Sequence, residues 1–163
     1  IDPRSIFGEY MMYIAHRGNI STKFSDRENF PSYLDEAISA GFYVEIDLWG
    51  VRGQFWFGHD KPQYAVHYEY VQNIAHKSFF HCKNVEAIDL LTDFVQDAHY
   101  FVHDTDDYTI TSKGLVWCYP GKTPPKRNAI ILLPETFVDG ISFYLAKHNA
   151  VGVCSDYVND LIL

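Results

Sequence analysis

The stretch 43-YVEIDLWGVRGQFWFGHD-60 alternates strictly in its first half, so on a β-strand Glu45 and Asp47 share one face while Val44, Ile46 and Leu48 share the other. Two carboxylates side by side in an otherwise apolar strand repel each other and lose solvation together. That raises the pKa of at least one of them unless a cation sits between, so the economical reading is a divalent-metal site. A solvent-facing edge strand is the bland alternative for any E-x-D pattern, and the other polar strand ends along the chain weigh against it. The second half turns at Gly53, returns as Gln54 to Gly58 and delivers His59 and Asp60, bringing an imidazole toward the carboxylates.

Upstream, Met12 to His16 is a short apolar run with a polar tip, His16-Arg17-Gly18. The apolar positions Tyr33, Leu34, Ala37 and Ile38 then suit a helix from Pro31 to Ala40 that Gly41 ends. Strand, helix and strand make a βαβ unit, which implies a parallel pair and a right-handed crossover. Downstream the pattern predicts a loop over 61–67, a weak helix over 68–76 and a strand over 78–83 that puts His81 and Lys83 on one face. An amphipathic helix over 85–96 and a strand over 99–103, tipped by His103-Asp104, follow. Beyond that the signal thins: at most one helical turn in 104–114, a strand over 115–119, a proline-bearing segment without a helix, a strand over 129–133, a helix over 137–148 and a strand over 151–155 ending at Asp156. Trp117 and Tyr119 read as interior filling.

Alternating β and α segments, with polar residues at the carboxyl end of strand after strand, predict an α/β fold. The expected form is a reduced (β/α) TIM-type barrel of about seven to eight mostly parallel strands with several helices missing. An open doubly wound sheet is the rival, but H-R-G-N after the first strand is not the Gly-rich phosphate loop such sheets carry.

With 13 Lys and Arg against 21 Asp and Glu the chain has a net charge of −8, which disfavours a nucleic-acid or anionic-membrane binder but leaves room for a local phosphate site. Cys82, Cys118 and Cys154 are widely spaced in apolar runs and read as reduced, buried thiols. With no apolar stretch near the ~20 residues of a membrane span, the expectation is a cytoplasmic protein without membrane insertion. Residues 1–10 lack periodicity and precede a Met11-Met12 pair, so they read as foreign or disordered sequence ahead of one domain over 11–163. A barrel trimmed of helices is expected to cover its bare flank by homodimerisation.

Five stretches together resemble the glycerophosphodiester phosphodiesterase family of TIM barrels. They are His16-Arg17-Gly18, Glu28-Asn29, Glu45-x-Asp47, His59-Asp60 and the closing 152-GVCSDY-157, which looks like that family's G-I-x-T-D-x-P strand. The resemblance implies His16 and His59 as an acid/base pair, Glu45 and Asp47 as ligands of Mg²⁺ or Ca²⁺, and Arg17 with Lys83 as phosphate ligands. Glu28, Asn29 and Asp60 would support these groups from behind. Where the family has a third acidic ligand, two positions before the strand-three lysine, this chain has His81, a donor that admits Mn²⁺ as well. The implied activity is a metal-dependent phosphodiesterase acting on a small glycerophosphodiester-like molecule. A phosphotransfer lyase giving a cyclic product, and a degenerate barrel that binds a phosphorylated ligand without turnover, are the alternatives.

Overall fold

The computed structural model of the chain describes residues 11–23 and 26–162, so the reading of residues 1–10 lies outside the described residues. The elements follow in the order β1 (Met12–His16), α1 (Pro31–Ser39), β2 (Tyr43–Val51), β3 (Gln54–Phe57), β4 (Tyr64–Val66), α2 (Tyr68–Ile74), β5 (Ser78–Cys82), α3 (Val85–Phe94), β6 (His99–Phe101), β7 (Tyr108–Ile110), β8 (Val116–Cys118), β9 (Ala129–Leu132), α4 (Ile141–Lys147) and β10 (Gly152–Ser155). No helix among them is long and apolar enough to cross a membrane.

Parallel ladders join the strands in the order β6-β5-β2-β1-β10-β9-β8. The nine-residue β2 is the hub. Its first residues pair with β1, its centre with β5, and its last residues, beyond the reach of β1, fold back against β3. β3 pairs with β4, and β7 with β8; these pairings, like β2 with β3, are antiparallel.

The expected TIM-type barrel does not form. The ten strands make a mixed sheet curled into an open half-barrel, with no ladder between β6 and β7 or β8. A strand parallel to β6 would need a crossover of roughly a dozen residues or more, normally a helix. Here residues 102–107 hold no helix, and the chain returns at once as the antiparallel β7. One backbone hydrogen bond and two from side chains bridge the seam where a ladder would run: Ser112 N donates to Tyr100 O at 2.7 Å, Tyr100 N to Ser112 Oγ at 3.0 Å and Thr109 Oγ1 to Val102 O at 2.8 Å. β4, in a segment that reads as a loop, and β7, in one that reads as at most a helical turn, are three residues each and too short to display an alternation.

The hollow of the curl is packed with Ile14, Phe79, Phe101, Trp117, Ile130, Leu132 and Cys154. On the outer face Val44, Ile46 and Leu48 of β2 and Phe80 of β5 meet Leu34 of α1, Val71 of α2 and Leu91 of α3. Leu145 of α4 covers Cys118, Ile131 and Val153. The three cysteines are buried and free, as their settings suggested.

The start of α3 is tied to β2 through Asn84, which caps Ala87 N at 3.1 Å, accepts from Gly50 N at 3.0 Å and donates to Gly50 O at 2.7 Å. This contact needs glycine, since a Cβ at position 50 would stand 2.5 Å from the Glu86 carbonyl carbon and 2.7 Å from Ala87 N. Gly50→Ala should therefore push α3 off the sheet and cost about 1–3 kcal/mol. Urea unfolding should show the midpoint falling with the slope unchanged; an unshifted midpoint would refute the close approach.

Candidate functional site

The carboxyl ends of the parallel strands open into a pocket of about 300 Å³. One side carries His16, Arg17, Glu45, His59, His81 and Lys83; the other carries Phe101, His103, Asp104, Trp117, Tyr119 and Leu132. Strand period explains the first side, because β1, β2 and β5 each turn their polar positions inward at one level. The pairing of Glu45 with His16 across one ladder and of Asp47 with His81 across the other sets that level.

Glu45, Asp47 and His81 each offer a ligand atom within 4.8 Å of the others, a group able to hold a metal ion. Both carboxylates are buried, at 3% and 0% exposure, and Glu45 Oε2 and Asp47 Oδ1 have no hydrogen-bond partner. Buried carboxylate oxygens without donors are costly, and a cation held between them would offset that cost. The two carboxyls are driven apart. Burial, and then the charge of Asp47, push the Glu45 carboxyl above its ordinary range. Burial works against Asp47 too, but the His81 ring at 3.2 Å and the Arg17 guanidinium at 3.0 Å overcome it and hold that carboxyl well below.

Asp47 is also clamped by Asn29, which donates to Oδ2 at 2.9 Å and accepts from the Asp47 backbone N at 3.0 Å. To reach it, Arg17 and Asn29 both adopt left-handed backbone, with φ of 53° and 63°, and Gly18 follows at 89°. Glu28 holds Arg17 from behind, with Oε2 accepting from Nη1 at 3.2 Å. Lys83 Nζ stands 3.6 Å from Asp47 Oδ1.

Two imidazoles are each oriented by a carboxylate. His16 Nδ1 donates to Asp156 Oδ1 at 2.7 Å, and His59 Nδ1 to Asp60 Oδ1 at 2.8 Å, so in each ring Nε2 is the uncommitted nitrogen. Burial opposes charge on His16, yet the Asp156 hydrogen bond and the nearby Glu45 outweigh it and raise the imidazole above its ordinary value of 6.5. Asp156 moves the other way, lowered from 3.8 because His16 overcomes the cost of its burial.

Every residue singled out in the sequence thus falls in one neighbourhood: Asp47 beneath the pocket, Glu28 and Asn29 behind it, Asp60 on its exposed rim. Asp156, which the sequence places at a polar strand tip and within a resembling stretch but gives no role, also belongs to it, as does Asn19, which the sequence does not single out. Asn19 is fully buried and donates to Asp156 Oδ1 at 2.7 Å and to Glu28 Oε1 at 3.0 Å, linking the His16 carboxylate to the Arg17 carboxylate; Tyr33 OH donates to its Oδ1 at 3.1 Å. The polar tips of β1 and β10 were the signal available for this cluster. His103 also enters the pocket wall, stacked on Tyr119 at 3.4 Å between ring centroids.

No protein-family model matches the chain, and neither does any curated protein or solved structure.

The opposed shifts of His16 and Asp156 fix the pH dependence of stability. With its folded pKa raised, His16 contributes fully below its ordinary 6.5 and loses the contribution as pH rises through the folded value. Asp156, lowered from 3.8, contributes above that value and loses it as pH falls through the folded one. In chelator, Asp156→Asn should therefore destabilise most between pH 4 and 6, by about 1–3 kcal/mol, and less as pH rises through the folded pKa of His16. Thermal unfolding across that range tests the sign; a deficit that grows toward alkaline pH would contradict it.

Proposed function

We propose that this pocket cleaves a small phosphodiester of the glycerophosphodiester kind, using a divalent cation and the imidazoles of His16 and His59 as acid and base. The observation that carries the reading is the pair of rings, each held at Nδ1 by its own carboxylate, on a pocket floored by two buried carboxylates with unpartnered oxygens. Displacement at a diester phosphorus needs one group to take the proton of the attacking hydroxyl and another to protonate the departing alkoxide. Imidazoles do both near neutral pH, and the carboxylate on each Nδ1 fixes the tautomer that leaves Nε2 to exchange the proton.

Arg17 and Lys83 line the same pocket and can share the charge on the non-bridging phosphate oxygens. Glu45, Asp47 and His81 would hold the cation, of the Mg²⁺, Ca²⁺ or Mn²⁺ kind, whose contribution when bound is Lewis-acid neutralisation of that charge. Glu28 and Asn29 keep Arg17 and Asp47 in place, and Asp60 does the same for His59. The attacking hydroxyl can be water or one within the substrate; product analysis separates hydrolysis from formation of a cyclic phosphodiester. A second reading, a module that binds a phosphorylated ligand without turnover, draws support from His81 standing where the resembled family has a third carboxylate.

His16→Ala and His59→Ala should each lower turnover of a glycerophosphodiester by about 10²–10⁴-fold with melting temperature retained. The double variant should lose far less than the product of the two, because both act in one step. The wild-type rate should be bell-shaped in pH, and each substitution should remove one limb. Activity that survives both substitutions would refute the assigned roles. Absence of turnover with every cation supplied, alongside phosphate binding that requires Arg17 and Lys83, would favour the binding module.

A further inference from the structure

We infer that His81 tilts the carboxylate site away from Mg²⁺ and Ca²⁺ and toward cations that accept nitrogen, Mn²⁺ and Zn²⁺. The inference rests on the proposal that Glu45, Asp47 and His81 hold the cation, and is independent of whether the pocket turns a substrate over.

The orientation of the His81 ring is the first observation. Its Nε2 lies 3.4 Å from the backbone carbonyl oxygen of His103, an acceptor only, so the proton belongs on Nε2. Nδ1 is then the nitrogen that faces Asp47 Oδ1 at 3.2 Å and Glu45 Oε1 at 3.9 Å. A cation among these three atoms would take the Nδ1 lone pair together with both carboxylates. An imidazole with one nitrogen on a carbonyl and the other on a metal is the usual arrangement of a ligating histidine. The ring is fixed in this pose by stacking on Phe101, with centroids 5.0 Å apart and planes 13° from parallel.

The second observation is charge. Arg17 Nε lies 3.0 Å from Asp47 Oδ2 and Lys83 Nζ 3.6 Å from Oδ1, so Asp47 already has two cations beside it, the first shared with Glu28. Mg²⁺ and Ca²⁺ depend on accumulated negative oxygen, and Ca²⁺ takes about six to eight oxygen ligands. An imidazole supplies no charge, but its nitrogen bonds well to Mn²⁺ and better still to Zn²⁺. The donor set therefore gives up what hard cations need and supplies what borderline ones use.

The test is calorimetric titration of the metal-free protein with Mn²⁺, Zn²⁺, Mg²⁺ and Ca²⁺ in turn, paired with electron spin-echo spectroscopy of the Mn²⁺ complex. Wild type should bind Mn²⁺ and Zn²⁺ about tenfold or more tighter than Mg²⁺ and Ca²⁺, and bound Mn²⁺ should show coupling to an imidazole nitrogen. His81→Glu should abolish that coupling, while His16→Ala keeps it, and should narrow or reverse the preference by raising Mg²⁺ and Ca²⁺ affinity. The spectroscopic result on wild type stands even if the variant fails to fold. Mg²⁺ or Ca²⁺ binding as tightly as Mn²⁺, or Mn²⁺ bound without nitrogen coupling, would overturn the inference and leave a metal-dependent reaction intact. Failure of every cation to bind would overturn both.

Discussion

Glu45 and Asp47 are carried by the pleat of β2 into the hollow of a curled sheet, where both carboxylates are buried and each repels the other. Most of the polar structure nearby offsets that cost. Asp47 receives Asn29, Arg17, His81 and Lys83; Arg17 in turn needs Glu28, and Asn19 bridges Glu28 to Asp156 and so to His16. Donors and acceptors alternate along this chain, which is how a low-dielectric interior tolerates so many charged groups. Two oxygens, one on each carboxylate, are still without donors, and they give the arrangement its capacity for a cation.

An open half-barrel is sufficient for this site because its candidate metal ligands come from one side. β1, β2 and β5 are neighbours in continuous parallel ladders and carry His16, Glu45, Asp47 and His81, with Arg17 and Lys83 just beyond the ends of β1 and β5. Across the pocket the wall is mainly rings and aliphatic carbon from β6, β8 and β9. The seam that fails to close lies between β6 and β7, away from the carboxylates, where the strands are shortest and serine and threonine stand in for a ladder. The pocket therefore depends on the part of the sheet whose pairing is complete.

The three hubs of the site were legible in the residues themselves. Period two alone puts Glu45 with Asp47, and His81 with Lys83, and Gly53 alone announces the hairpin that brings His59 round. Asp156 was not legible as the partner of His16, because the two are 140 positions apart and meet through the register of β1 on β10, Ala15 opposite Ser155. Asn19 was hidden for a similar reason: in a turn-rich segment an asparagine looks like any turn residue, until Glu28, Tyr33 and Asp156 close around it.

The sequence by itself determined which side chains share a face, where the helices lie and that the parallel strands end in polar residues, since alternation and capping are set by neighbours a few positions apart. Whether the strands closed into a barrel was decided only in three dimensions. Closure depends on what pairs with β6, and that partner is chosen by the length of the connection, by the turn into β7 and by hydrogen bonds from Ser112 and Thr109 across the gap. Those are contacts between distant segments, and the local pattern of β6, three residues long, carries no record of them.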